Sequence, residues 1–154
     1  MPQVISPDHP LNWQQGEEFE TIQIIATREM VNFFLIGINN RDSWFVEKSP
    51  LGSAIVPGTM VHSFNIRSRA YRVWHDFAGA LFTEPAGMHV GFEAEFFDPI
   101  RVGEKITIKG KVTAVNLKRD RKFIETQTEV YGEDDRLCNR YISTNTFLTP
   151  KEES

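Results

Sequence analysis

The 154-residue chain has the length of a single domain and can bury a real hydrophobic core. With 40% hydrophobic and 25% charged residues, its composition is that of an ordinary soluble globular protein. A net charge of −4 gives no reason to expect nucleic acid as a partner. The single cysteine, Cys138, excludes an intrachain disulfide framework and a cysteine-cluster metal site. No apolar run approaches the roughly 20 residues needed to cross a bilayer, and residues 1–10 lack a secretory-signal pattern, so we expect a cytoplasmic protein.

The two ends of the chain are predicted to lie outside the folded domain. Residues 1–16 contain prolines and no periodicity, which predicts a surface arm. Leu11 and Trp13 are expected to anchor this arm, either on the same chain or on a neighbouring subunit. Residues 151–154 form a short charged tail. We therefore predict a single domain over residues 17–150.

A strand and a helix are predicted to open the domain. Residues 18–26 carry large apolar side chains and are typical of a strand. Thr27 is a plausible N-cap for the helix that follows, and Gly37 with the asparagines after it ends that helix. The apolar residues at helical spacing are Val31, Phe34, Leu35 and Ile38.

A polar segment separates this helix from a second one. Its asparagines and Asp42 favour turns and caps over helix interiors, and residues 42–48 are predicted to form one short helical turn. The Pro57-Gly58 step marks the start of a longer helix that runs without breakers to Phe77. Because that helix is apolar over much of its surface, it is predicted to be largely buried.

Period-two alternation from His89 onward predicts four strands, with a possible bulge at Gly110. Polar residues at 118–122 and 132–136 predict hairpin turns between them. The chain order is therefore strand, helix, irregular segment, long helix and four antiparallel strands. This order predicts an α+β fold in which a curved antiparallel sheet wraps around a long central helix.

Two parts of the sequence carry a family resemblance. The first comprises Asn-Arg-Asp-Ser-Trp-Phe at residues 40–45 and Ser-Ala-Ile-Val-Pro-Gly-Thr-Met at residues 53–60. The second is Gly-Phe-Glu-Ala-Glu-Phe-Phe-Asp-Pro-Ile-Arg-Val-Gly-Glu at residues 91–104. Together they resemble the MaoC-like hydratase/dehydratase family, which has the hot-dog fold. The sequence is most similar to the FAS1-like dehydratase members and to the non-catalytic subunits of two-chain hydroxyacyl-thioester dehydratases.

The resemblance implies the hydration of enoyl thioesters and the loss of the two acid–base residues that catalyse it. Hydration of an enoyl thioester needs a base, an acid and donors for the thioester oxygen. In catalytic members of the family, the Asp and His of a Gly-Asp-x-Asn-Pro-x-His motif do the acid–base work. Aligned from Gly37, that motif puts Ile38 at the Asp position and Ser43 at the His position, so the resemblance implies that both groups are missing. The backbone N–H groups of Gly58 and Thr59 remain expected donors to the thioester oxygen.

Other residues are candidates for the site, and each has a structural alternative. Asp42 lies one residue from the lost His position, and His62 lies near the start of the long helix, so both are candidate acid–base residues. Asp42 can instead cap the next helical turn. The candidate substrate-binding residues are Asn40, Gly58, Thr59, Ser63 and His89. No metal ligand set is expected.

Three functions stay open from the sequence. The first is a hydratase or dehydratase component that lacks the dyad and shapes an acyl-CoA site. The second is a self-sufficient hydratase or thioesterase with a relocated acid–base pair. The third is a non-enzymatic acyl-thioester binding or scaffold protein. In each, the ligand is a thioester of coenzyme A or acyl-carrier protein, with no cofactor and no membrane. A homodimer, or a heterodimer with another hot-dog subunit, is expected because one such chain leaves a sheet edge open.

Overall fold

A computed structural model describes residues 9–65 and 87–148 of the chain. Its framework is a five-stranded antiparallel sheet in the order β1-β3-β4-β5-β2. The strands are β1 (Ile22–Ile25), β2 (Gly87–Phe96), β3 (Lys105–Lys118), β4 (Arg121–Tyr131) and β5 (Leu137–Leu148). The helices are α1 (Arg28–Gly37), α2 (Ser43–Val46) and α3 (Val61–Asn65), and 3-10 turns form at Pro10–Asn12, Gly58–Met60 and Glu133–Asp135. The predicted α+β class is confirmed.

Helix α1 forms where the apolar spacing predicts it. The Thr27 hydroxyl accepts a hydrogen bond from the Met30 N–H at 3.2 Å, which satisfies a free donor of the first turn. Val31 and Leu35 are buried, whereas Ile38 is 47% exposed where the helix ends. The helix therefore turns one apolar face to the core and leaves its last turn at the surface.

The main core lies between one face of the sheet and the helices. Helix α3 contributes Val61 and Phe64 to it, and β3 contributes Ile106 and Ile108. The predicted long helix is described as far as Asn65, and its continuation to Phe77 lies outside the described residues, as do residues 1–8 and the charged tail. No helix in residues 9–65 or 87–148 is long and apolar enough to cross a membrane.

The segment before β1 packs on the sheet of its own chain. Trp13 lies against Phe19 with ring centroids 4.9 Å apart, in a second apolar cluster that also contains Phe147. The Lys122 ammonium donates hydrogen bonds to the backbone carbonyls of Leu11 and Trp13. Burial lowers the pKa of Lys122 from its ordinary value. These contacts fix the entry of the chain into the domain.

The prediction of a bulge at Gly110 was wrong. Gly110 pairs regularly with Thr128, and the register of β3 against β4 shifts further along, between Val112 and Ala114. The space beside Gly110 is taken by Phe19, since a Cβ atom there would lie 3.0 Å from the Phe19 ring. The glycine therefore permits close packing and does not mark an irregular strand.

A buried carboxylate closes the loop between β2 and β3. Glu104 is 6% exposed, and its side chain accepts hydrogen bonds from the Arg101 N–H at 2.6 Å and from the Arg136 guanidinium at 3.0 Å. The same guanidinium forms an ion pair with Asp98 at 2.9 Å. Gly103, just before this carboxylate, has φ of +94°, a conformation that side chains disfavour.

This loop holds the segment that leads to α3. The Val56 N–H donates to the Ile100 carbonyl at 2.8 Å, and the Val102 N–H donates to the Ala54 carbonyl at 2.9 Å. The segment before Gly58 is thereby tied to a loop that Glu104 organises. The position of the Gly58 backbone follows from these bonds.

Replacing Glu104 with Ala is expected to destabilise the domain by about 2 kcal/mol, because the part-buried Arg136 guanidinium and the Arg101 N–H lose this charged acceptor. The free energy of unfolding should be measured from urea transitions at one fixed protein concentration. Glu93→Ala, on the exposed surface of β2, is the matched control and should change stability by less than about 0.5 kcal/mol. Equal effects of the two substitutions would contradict the role assigned to Glu104.

Candidate functional site

The polar side chains between α1 and α2 bond to the local backbone. The Asn40 side-chain oxygen accepts from the Asp42 N–H at 2.8 Å, and an Asp42 carboxylate oxygen accepts from the Trp44 N–H at 2.9 Å. Asp42 is thus the N-cap of α2. The Arg28 guanidinium donates to the carbonyls of Phe45 and Val46 at the end of that short helix. This segment is a set of capping interactions that fix α2 against α1.

The two positions where the resemblance expects Asp and His lie on either side of this turn. Ile38 is the C-cap of α1, and Ser43 is the first residue of α2. Ser43 lines a surface cleft of about 450 Å³ together with Asn40, Arg41 and Glu47. The residue types at these two positions cannot act as an acid–base pair, because isoleucine transfers no proton and serine has no pKa near neutrality.

Gly58 lies at a separate cavity of about 270 Å³, whose lining is mostly apolar. A Cβ atom on Gly58 would lie 3.4 Å from the Phe96 ring, which is an ordinary van der Waals contact. Among the described residues, no backbone carbonyl accepts from the N–H of Gly58 or of Thr59. Both residues lie at the start of the 3-10 turn, where backbone N–H groups lack a partner within the turn. That they donate to a thioester oxygen stays a prediction.

A buried amide also lines this cavity. Asn139 lies on β5, between Phe96 of β2 and Val130 of β4. Its side-chain oxygen has no hydrogen-bond partner within the part of the chain that the structure describes. The sequence analysis missed Asn139. The sequence gives little signal for it, because Asn139 is followed directly by the charged Arg140.

Two candidate histidines meet on the surface of the domain. His62 of α3 and His89 of β2 have ring centroids 6.1 Å apart, and Phe92 lies 5.7 Å from His62 and 6.1 Å from His89. Phe92 in turn stacks on buried Tyr141 at 5.6 Å. A register shift between His89 and Gly91 places an extra residue in β2. Because of this bulge, residues 89 and 92 can share one face.

Burial lowers the pKa of His62, and the nearby His89 lowers it further. Both effects favour the neutral imidazole, which can accept a proton at neutral pH. Ser63 follows on the same short helix and is half-buried, whereas Thr59 is exposed. The structure therefore brings His62 and His89 together. It places Asn40 and Ser43 on one cavity and Gly58 on another.

Three solved structures share this architecture. An (R)-hydratase from A. caviae is 15% identical with a TM-score of 0.65, covering 90% of this chain and 98% of that one. A HadBC (3R-hydroxyacyl-ACP dehydratase) complex from Mycobacterium tuberculosis is 18% identical with a TM-score of 0.67, and the match covers 86% of this chain and 96% of that one. A MaoC-like dehydratase from Rhodospirillum rubrum is 12% identical with a TM-score of 0.66, and the match covers 93% of this chain and 98% of that one. At these identities the likeness establishes the hot-dog fold, as predicted.

The sequence itself carries the family assignment. Residues 14–139 match the model of the FAS1-like dehydratase domain region. The chain belongs to this family, and the predicted resemblance is confirmed. No curated protein matches the sequence.

The pKa of His62 is expected to lie below its ordinary value of 6.5 when its imidazole C–H signals are followed by NMR as a function of pH. Replacing His89 with Gln should raise the pKa of His62, without restoring it fully, because the burial effect remains. The lowered pKa of His62 also makes the folding stability depend on pH. As the pH falls through 6.5 the unfolded chain binds this proton first, so the His62 contribution to stability is lost in acid. A His62 pKa unchanged by His89→Gln would contradict the coupling.

Proposed function

We propose that this protein acts in acyl-thioester metabolism as a hydratase or dehydratase component that lacks the acid–base dyad. The observation that carries this proposal is the presence of Ile38 and Ser43 at the two dyad positions of a chain that otherwise belongs to a dehydratase family. Neither side chain can replace the lost group. The Gly58 and Thr59 donors and the apolar cavity beside them remain suited to hold a thioester.

The proposed role requires a second hot-dog subunit that supplies the Asp and His. Strand β2 lies at an edge of the sheet, so one of its sides has no neighbouring strand among residues 9–65 and 87–148. Apolar side chains on and beside this strand are exposed. They are Met88, Val90, Phe92, Phe96 and Phe97. An exposed apolar edge of this kind favours pairing with another chain. The HadBC dehydratase, which shares this fold, is a complex.

A second candidate function rests on the two histidines. His62 and His89 are close enough for both to approach one ligand, and the lowered pKa of His62 suits a general base near neutral pH. In this alternative the chain is a self-sufficient hydratase or thioesterase with a relocated acid–base pair. Asp42 is less suited to share that role, because one of its carboxylate oxygens caps α2.

We expect at least a dimer in sedimentation experiments at micromolar concentration. Met88→Glu, at the exposed edge strand, should shift the population towards monomer, since a charge in an apolar contact is costly. Phe33→Glu, on the exposed side of α1, is the matched control and should leave the assembly unchanged. A monomeric wild-type chain, or a dimer sensitive only to Phe33→Glu, would contradict assembly through β2.

The purified chain alone should hydrate enoyl thioesters poorly. Each missing acid–base group typically costs about 10²–10⁴-fold in rate. Addition of a hot-dog subunit with an intact Asp and His should restore turnover, and Ser43→Ala in this chain should leave that turnover unchanged. The assay is loss of the enoyl-thioester chromophore over a panel of chain lengths.

The same assay separates the two candidates. If the isolated chain turns over at about 10 s⁻¹, near the median for enzymes, the dyad-lacking role is wrong. The relocated pair then requires that His62→Ala and His89→Ala each abolish this activity in folded protein, whereas Ser43→Ala does not. Circular dichroism of each variant provides the folding control.

A further inference from the structure

A row of alternating charges crosses the outer face of the sheet, the face opposite the main core. Lys109 of β3 is opposite Glu129 of β4, and Glu129 is opposite Arg140 of β5. The Arg140 guanidinium contacts the Glu129 carboxylate at 2.9 Å and the Glu95 carboxylate of β2 at 3.6 Å. Opposite charges in opposed positions stabilise neighbouring strands. The row therefore runs positive, negative, positive, negative and ends at the edge strand.

The edge strand ends this row with two exposed carboxylates. Glu93 and Glu95 are two residues apart in a regular part of β2, so both side chains lie on the outer face. Glu95 is opposite Arg140, and its side chain is 65% exposed. Glu93 is opposite the uncharged Ile142 and is exposed as well. A strand that pairs with this edge would place its own outer-face side chains beside both carboxylates.

A second copy of this chain cannot neutralise these carboxylates from the same strand. Strand β2, Gly87–Phe96, contains two glutamates and no lysine or arginine. Its other ionisable residue, His89, contacts the ring of Phe92. Because Phe92 and Glu93 are consecutive, their side chains point to opposite faces, so His89 is not on the outer face. In any register, pairing of β2 with its own copy therefore brings carboxylates together without a lysine or arginine.

We propose that Glu93 and Glu95 select the partner at this edge, and that the partner is a hot-dog subunit whose edge strand carries lysine or arginine on its outer face. The inference rests on the proposed function, which requires a second hot-dog subunit at β2. Such a partner continues the alternating row by one more cation. A second copy places like charges on neighbouring strands, which is destabilising and separates wrong partners from right ones.

The test uses a charge-reversed copy of this chain as the basic partner. In Glu93→Lys/Glu95→Lys, cations replace both carboxylates and the rest of the surface is unchanged. The wild-type chain is mixed with a mass-tagged form of this variant, and native mass spectrometry measures the two homodimers and the mixed dimer after exchange. At about 50 mM ionic strength, the exchange constant for mixed dimers should lie about tenfold above its random value, because several cross-strand pairs change sign together.

Two further samples make the result independent of one variant. Glu93→Lys alone keeps the contact between Glu95 and Arg140, and it should show the same preference at about threefold. Glu18→Lys/Glu20→Lys changes the net charge as much as the double edge variant does. These two residues precede β1, at the opposite edge of the sheet, so this matched control should mix with the wild-type chain at the random value. Circular dichroism checks the fold of each variant.

The outcomes separate this inference from the proposed function. Random mixing of the wild-type chain with both edge variants overturns the inference and leaves the proposed function standing. An equal preference for the control at β1 also overturns it, because net charge alone would then explain the result. If every sample stays monomeric, the inference fails together with assembly through β2. The proposed function fails in a different assay, if the isolated wild-type chain hydrates enoyl thioesters at an ordinary enzymatic rate.

Discussion

The pairing of the buried Glu104 carboxylate with the partly exposed Arg136 guanidinium links the strands and loops of this domain. Glu104 lies at the start of β3, and Arg136 lies just before β5, so their contact joins two strands that are not adjacent in the sheet. Space for it comes from Gly132, where a Cβ atom would lie 2.8 Å from the Arg136 guanidinium. Because Glu104 is buried, losing Arg136 would leave its carboxylate without a charge partner, and this penalty constrains the fold around it.

This pairing also positions the candidate site. The Glu104 carboxylate holds the Arg101 N–H, and the loop around Arg101 bonds to the segment that precedes Gly58. The backbone donors of Gly58 and the cavity beside it are therefore placed by a loop that itself lacks regular structure. Loops held by a rigid scaffold commonly carry function for this reason.

The candidate residues are divided between separate places on a single copy of this chain. Ser43 and Gly58 line different cavities, and the two histidines form a third group at the edge strand. Thioester hydration needs its proton-transfer groups and its oxygen donors around one reacting centre. A single copy of this chain does not gather the sequence-predicted residues in that way. A neighbouring subunit at β2 would lie close to His89 and Phe92, which belong to that strand.

Much of the fold was predictable because local patterns and tertiary packing agree. Thr27 caps α1 where the helical spacing begins, and Asp42 caps α2, an alternative that the sequence itself offered. The second matching sequence, residues 91–104, contains the glycine and the carboxylate that the loop requires. These features depend on short-range chemistry, so the sequence alone is sufficient to identify them.

The class of fold, the family and the residue types at positions 38 and 43 can all be read from the sequence. Which side chains meet in space depends on the folded arrangement. The bulge after His89 breaks the period of two, so that His89 and Phe92 both face His62. The isolation of Asn139 likewise depends on what the neighbouring strands place opposite it. Such contacts join residues far apart in the chain, and periodicity reports only on neighbours within one element.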